Sequence, residues 1–543
     1  MAAFPARDEP LFDAVDDMQI GRRVIYTDVE EITKENVVQI LSNAISDFEA
    51  NANDCDRLLN IDAGILPLNR EKKARPDIDV RTVDNIANEI TEFKKSFHWG
   101  IPFAFIQRGT HDSGSDDEVE AISLLNECYA TENLGRKQLT LGRFVEICGI
   151  GFTLVDIKVN WEEGDSFFAY EVLDPRDAFV IKSSRYADHR TMLGVTTRVD
   201  HTGTRYYTAF SKTHRFEIVC SKIQNGEVQE ESWSQGQRSG ERNPLGHIPI
   251  IEWERSPDRM GVWEREIPEL SRISLILSDI GNDIDQETQM IWHTNDVEFP
   301  EVKDENGNPT GEVETPKSYE WVSTYTSRDG RQPFIKPLSV NYNYTGLLTN
   351  YNTARALVLQ RCYTPQRNDN SGGSTGTAMS DATGWSSAEQ VANAQQLIME
   401  SSKMEEVKVV LAAIKINPRT PSDSPLLKLR YTDVKPNILR MKSYEMSVKT
   451  TAFANLVSHG VYGLHALKAV NFFDDVMQVW ADSKDLIEEY QKSTFGEKEE
   501  VEKSADLPEY QIGNSPLIDG MSKEVPKQAE EDVKQESKED KEE

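Results

Sequence analysis

A few groups of residues have types and spacings that suit chemistry. Gly372-Gly-Ser374-Thr-Gly376 fits the Gly-x-Ser-x-Gly pattern of a hydrolase nucleophile elbow. That elbow needs a strand before the serine and a helix directly after it, so that a strained turn presents the hydroxyl. Here a helical pattern and a polar stretch come first, so the expected reading is a mobile Ser/Gly loop. Asp279, Asp283 and Glu287 stand at i, i+4 and i+8 and share one helix face. Such a stripe suits either divalent cations or a smooth acidic wall, and the wall is the expected reading. Arg367 is the one cation in a run with Gln366, Asn368, Asp369 and Asn370, which suits a phosphate contact or a solvated loop. The nine histidines make neither HxxxH nor HExxH spacing, so no histidine metal centre is expected. No GxxxxGK[ST] or GxGxxG occurs, which excludes a P-loop motor.

The elements that must position these residues sit in a chain of 543 residues with 60 Lys plus Arg against 92 Asp plus Glu, a formal charge of −32. That length predicts two to four folded units. The acidity argues against a general DNA-coating role, which needs a basic patch, and keeps a large assembly soluble. Cys55, Cys128, Cys148, Cys220 and Cys362 are odd in number and lack CxxC spacing. That excludes a disulfide framework and a cysteine zinc finger, and fits a reducing compartment. No apolar run approaches the roughly 18 residues of a membrane span. The start, MAAFPARDEPLFDAVDD, has no basic-then-apolar signal pattern. Together these predict a soluble protein made in a cytoplasm. Asn343-Tyr-Thr345 matches a glycosylation acceptor, which has no meaning without a secretory route.

Helical spacing runs through Val37, Ile40, Leu41, Ile45 and Phe48, through 79–99, and through 118–149. Between 151 and 251 the pattern changes to short β-rich runs separated by turn residues. Ile273, Leu277, Ile280, Ile284 and Ile291 then follow a heptad seam, with Pro268 near the start of that helix. The stretch 296–340 reads as a small β module. Its Asn306-Gly307 turn lies between 297–302 and 312–314, and Tyr319-Glu-Trp-Val322 and Phe334-Ile335 follow. Further helices are expected over 345–362, 388–416 and 444–490, the last broken near Gly460 and Gly463, with a strand over 427–430. The last 23 residues hold nine acids and five lysines and read as a disordered tail.

In this order, several blocks resemble the portal proteins of tailed bacteriophages, SPP1 type (gp6-like). They are Asp84-Asn85-Ile-Ala-Asn88 through Trp99-Gly100-Ile-Pro102, Leu141-Gly-Arg-Phe-Val-Glu-Ile-Cys-Gly-Ile-Gly151, Val172-Leu-Asp-Pro175 and Gly246-His-Ile-Pro249-Ile-Ile-Glu252. The loop 374–379, Leu429-Arg430-Tyr, Pro436-Asn437, and His459-Gly460 through Asp474 to Trp480 continue the likeness. It covers roughly 30–485. The 374–378 loop is more polar than the family pattern, and the charged C-terminal extension has no family counterpart.

The resemblance implies an α+β portal fold in a ring, usually of twelve copies. Its parts would be an acidic arm (1–30), a wing (31–260 and 388–420) and two stem helices (261–293 and 342–365). Between the stem helices would lie a β-containing clip (294–341). A tunnel loop (366–387), a helical crown (421–490) and the tail (491–543) would complete it. It implies DNA-facing residues Gln366, Arg367, Asn368, Asp369 and Asn370, and a channel-lining acidic face of Asp279, Asp283 and Glu287. The clip, with Asn306, Gly307, Tyr319, Trp321 and Arg328, would dock the terminase large subunit and later the head-completion adaptor. The major capsid protein and a scaffolding protein would be further partners. Double-stranded DNA would pass without sequence readout, and no membrane, cofactor, metal or catalytic residue is implied. The place would be the capsid vertex of the virion, after assembly in the host cytoplasm. The alternatives are a phage-encoded hydrolase or nuclease using clustered carboxylates, or another head structural or scaffolding protein. An enzyme would show a compact convergent set of His, Ser, Cys or acids, and a scaffold would lack the strand-rich 151–251 block.

Overall fold

In the computed structural model the described residues are 21–68, 79–108, 116–158, 160–201, 203–224, 227–288, 292–295, 301–304, 307–313, 334–337, 344–366, 384–440, 446–470, 480, 483–487 and 489. The chain divides into two compact units, 1–442 and 443–543. The first unit runs β1 (Ile25–Thr27), α1 (Val37–Asp62), α2 (Ile86–Trp99), β2 (Ala104–Gln107), α3 (Asp116–Thr131), α4 (Leu134–Cys148), β3 (Ile150–Ile157), β4 (Phe168–Leu173), β5 (Ala178–Ser183) and β6 (Thr191–Val199). It continues with β7 (Arg205–Phe210), β8 (His214–Gln224), β9 (Glu227–Gln235), β10 (Glu241–Arg242), β11 (Ile250–Glu254), α5 (Ile267–Thr288), β12 (Trp292–Asn295), β13 (Glu301–Lys303), β14 (Pro309–Val313) and β15 (Phe334–Pro337). It ends with α6 (Tyr344–Arg361), α7 (Trp385–Ile416) and β16 (Val434–Asn437). The second unit holds α8 (Met446–Ser458) and α9 (Gly463–Val470), with Gly460 at φ +84° in the turn between them.

A seven-stranded sheet has the order β1-β5-β6-β7-β8-β10, with β9 also paired to β8. Only the β1–β5 pair in it is parallel. Alternating inward residues Phe179, Ile181, Leu193, Val195, Tyr207, Phe216 and Ile218 meet Val37, Leu41, Ile45 and Phe48 of α1. The ring of Phe48 stacks on Phe179 with centroids 4.4 Å apart. A second, three-stranded sheet has the order β11-β3-β4. One face of it, with α4, packs against α1, α2, α5 and α6. A third core joins α3, α4 and α7 to the β2–β16 ribbon.

Three expectations need correction. The 79–85 stretch is extended, and α2 starts only at Ile86, where Asn85 caps it by accepting from the Asn88 amide at 3.2 Å. The apolar spacing across 79–99 hid this, because the partner that holds 79–85 straight lies almost 200 residues away. The helical pattern over 118–149 is two helices, broken where Asn133 takes φ +56°. The strand expected over 427–430 is a pair of 3₁₀ turns, Pro425–Leu427 and Tyr431–Asp433, and the strand follows them as β16.

Candidate functional site

The helix–β module–helix segment is built from α5 outward. Pro268 lies in the first turn of α5, where its missing N–H costs nothing. Glu269 and Arg272 form an i,i+3 pair at 3.0 Å. The buried line of α5 is Leu270, Ile273, Ser274, Ser278 and Asn282. This departs from the expected heptad seam: Ile273 is buried, Leu277 and Ile280 are half-buried, Ile284 is 50% exposed, and Ile291 lies outside the described residues.

The polar half of that line grips the extended 79–85 segment. Ser274 Oγ accepts from the Asp84 amide at 3.2 Å, Ser278 Oγ from Thr82 at 3.0 Å, and Asn282 Oδ1 from Val80 at 2.8 Å. Asn282 Nδ2 also donates to the Val80 carbonyl at 3.3 Å. Backbone amides removed from water need partners, and for these partly covered ones a helix surface supplies them in place of a neighbouring strand. Asp84 carries the contact to α6, accepting from Tyr351 Oη at 2.8 Å and Arg355 Nη1 at 2.9 Å. Arg355 also pairs with Glu89. Thus α5, α6 and the lead-in to α2 are tied at one aspartate.

Between the two helices, β12 and β15 pair antiparallel, from Trp292 opposite Pro337 to Asn295 opposite Phe334. A separate hairpin joins β13 and β14. Its turn places Gly307 at φ +80°, a conformation only glycine adopts at no cost. Asp304 Oδ1 accepts from the Asn308 amide at 2.8 Å. The Asn-Gly hairpin expectation therefore holds at the element level.

The far end of α6 is fixed on α2. Tyr363, at φ +51°, ends the helix, and the Thr364 amide donates back to the Leu359 carbonyl at 2.8 Å. Lys94, 1% exposed, donates from Nζ to the Tyr363 carbonyl at 3.0 Å. Burial lowers its pKa to about 8, against the opposing pull of Glu146. Trp385, at the start of α7, meets Phe93 and Phe97 edge-on, with centroids 5.6 and 5.8 Å away.

Below this point Glu146 is fully buried. It takes His98 Nδ1 at 2.9 Å, Trp99 Nε1 at 3.2 Å, Gln395 Nε2 at 3.0 Å and Arg255 Nε at 3.1 Å. Burial works against the charged carboxylate, but His98, Arg255 and Lys94 outweigh it and hold Glu146 well below the usual range. Farther along α7, the buried Lys403 pairs with Glu406 at 2.5 Å. The Lys403 ammonium faces Tyr129, Phe105, Phe103, Tyr170 and Trp253, the nearest ring centroid at 4.3 Å. These two networks, which sequence reasoning missed, key α7 into the core.

Of the expected site residues, Asp279 and Asp283 are half-buried on α5, and Glu287 lies in its last turn. Gln366 is half-buried beside α6, its Nε2 donating to the Ala356 carbonyl at 2.7 Å. Gly307 is in the hairpin turn. Arg367, Asn368, Asp369, Asn370, Asn306, Tyr319, Trp321 and Arg328 lie outside the described residues, as does the Gly372–Gly376 match. Among the described residues no group of three or more His, Cys, Asp or Glu could hold a metal ion, and no helix is long and apolar enough to cross a membrane.

The family blocks acquire a physical reason. A Cβ at Gly142 would come within 2.7 Å of Cδ1 and Cδ2 of Trp99, so the Leu141-Gly step lets α4 lie on that indole. Gly149 ends α4 at φ +76° against the Arg259–Met260 backbone.

The family model for phage portal proteins of the SPP1 Gp6-like type matches residues 20–444, and the chain belongs to that family. It is a portal protein of a tailed phage. No curated protein matches the chain.

Proposed function

We propose that copies of this chain close into a ring of twelve at one vertex of the capsid. Double-stranded DNA enters through the ring's channel under the terminase and leaves through it at ejection. In this reading 261–293 and 342–365 are the stem, and 294–341 is the clip that meets the terminase large subunit and the adaptor. The wing is 31–260 with 388–420, facing the major capsid protein and scaffold, and 421–490 is the crown. Gln366, Arg367, Asn368, Asp369 and Asn370 touch the duplex backbone without reading sequence. Asp279, Asp283 and Glu287 face the channel, where an acidic wall repels phosphate and keeps DNA sliding. The role is structural, without catalysis.

The observation that carries this reading is the family match over 20–444 in a chain whose α5 and α6 pack side by side around an inserted β module. Head-to-tail contacts must close by rotation to give a ring. Twelve chains of 61.6 kDa make about 740 kDa. Light scattering with negative-stain imaging is expected to show a ring near that mass with a central hole. A compact dimer or tetramer without a hole overturns the reading.

A further inference from the structure

A groove of about 970 Å³ runs between the β2–β16 ribbon and α7. Its floor is apolar: Ile106, Leu397, Met404 and Val434 line it. Leu397 is 69% exposed and Ile106 44% exposed, although both sit in regular elements beside a full core. Solitary exposed aliphatics are ordinary, but two that line one concave surface mark a contact. The rim carries Arg108 and Lys435. Neither has an acidic partner among the described residues. The one acid of the lining, Glu400, already accepts from Gln396 Nε2 at 2.7 Å. In a chain of charge −32, an apolar trough edged by two cations that lack an acidic partner among the described residues selects an acidic, amphipathic occupant.

The ribbon does not invite an added strand. The outer amide and carbonyl of Phe105 on β2 are taken by Asn126, at 2.8 and 3.0 Å. On β16, Pro436 offers no N–H. Recognition must therefore run through side chains, as when a helix lies in a groove.

The chain itself carries a segment of that character. Leu11, Val15 and Met18 are spaced i, i+4 and i+7, with Phe12 beside them. Asp8, Glu9, Asp13, Asp16 and Asp17 surround them. The family match begins at residue 20, so this segment lies outside what the family shares. The acidic C-terminal stretch is a poorer fit. Residues 521–543 offer no Leu, Ile or Phe for the floor, and Pro508 and Pro516 interrupt the apolar residues before it.

We propose that residues 8–18 of a neighbouring copy occupy the groove between α7 and the β2–β16 ribbon, an arm exchanged between adjacent subunits. The neighbour is the source because Gly21 packs against Asp258 and Arg22 pairs with Glu264, while the groove borders the separate core of α3 and α7. Three residues of chain, about 10 Å at full stretch, lead from Met18 to Gly21. This inference rests on the assembly reading only in needing an adjacent copy.

The test uses the full chain carrying Val15→Cys and Leu397→Cys. All five native cysteines are buried. A short bismaleimide is expected to link neighbours into covalent dimers and longer ladders, and neither single variant should do so. Arg108→Glu with Lys435→Glu should cut the linking rate about tenfold, and Asp13→Lys with Asp16→Lys should restore it, since two exposed charge pairs are exchanged. The assembled mass is measured on each sample. With that mass retained, three results overturn the proposal: no link, a link within one chain, or a link joining two Leu397→Cys positions. A loss of the assembled mass in the unmodified protein would instead overturn the ring.

Discussion

Gly142 and Lys94 show how single residues set this fold. Gly142 leaves room for the Trp99 indole, which is itself held by Glu146. Gly142→Ala is expected to destabilise the first unit by about 1–3 kcal/mol through overpacking, read as a lower urea midpoint. Lys94 carries a pH signature. Its folded pKa is about 8, below the ordinary lysine value near 10.4. Between those values the unfolded chain holds a proton that the folded chain has released, so stability through this group rises with pH across that window. The difference in unfolding free energy between the wild type and Lys94→Met should be flat below pH 7. It should then rise by at most about 3 kcal/mol toward pH 10.5. Urea unfolding at each pH checks this, and a difference that stays level would show that Lys94 does not titrate in the fold.

At the scale of elements, α5 is held by polar rungs as much as by apolar packing. Ser278→Ala takes away the side-chain acceptor of the Thr82 amide and should cost about 0.5–1.5 kcal/mol. Hydrogen exchange should report it as lost protection at Thr82 specifically. The β module and its Asn-Gly turn were legible in the sequence because a tight turn is a local signal. So were α1, α6, α7 and most strands of 151–251, where apolar period and turn residues agree. The role of Ser274, Ser278 and Asn282 was not legible, because their partners at 80–84 are distant in the chain and serines on a helix carry no period of their own. For the same reason 79–85 read as helix: Val83, Ile86 and Ile90 suit one. β1 escaped notice since its parallel pairing with β5 spans over 150 residues, and β9 since Glu-Val-Gln-Glu-Glu-Ser-Trp-Ser-Gln is mostly polar. Of the candidate site, the placement of Asp279, Asp283 and Glu287 on one helix, α5, was readable from spacing. The anchoring of Gln366 on α6 and the grip of α2 on Tyr363 and Trp385 came only with the tertiary structure.

At the scale of the whole molecule, the first unit carries its own three cores and contains all but two residues of the family match. A fragment of residues 1–442 is therefore expected to fold and unfold cooperatively without the second unit. Circular dichroism on heating checks this, and a broad, non-cooperative trace would show that the second unit is needed. The contact between α5 and 79–85 also has a consequence for the register of the whole. Four residues of helix advance about 6.0 Å and two residues of extended chain about 6.6 Å. The two scales drift apart by about 0.6 Å at each rung, while the three donor–acceptor distances run 3.2, 3.0 and 2.8 Å. Two rulers with slightly different divisions make a vernier: their marks coincide over a short stretch, and only at one setting. The axial position of α5 against the lead-in to α2 is thereby graduated, and a slip of one turn would leave a rung empty.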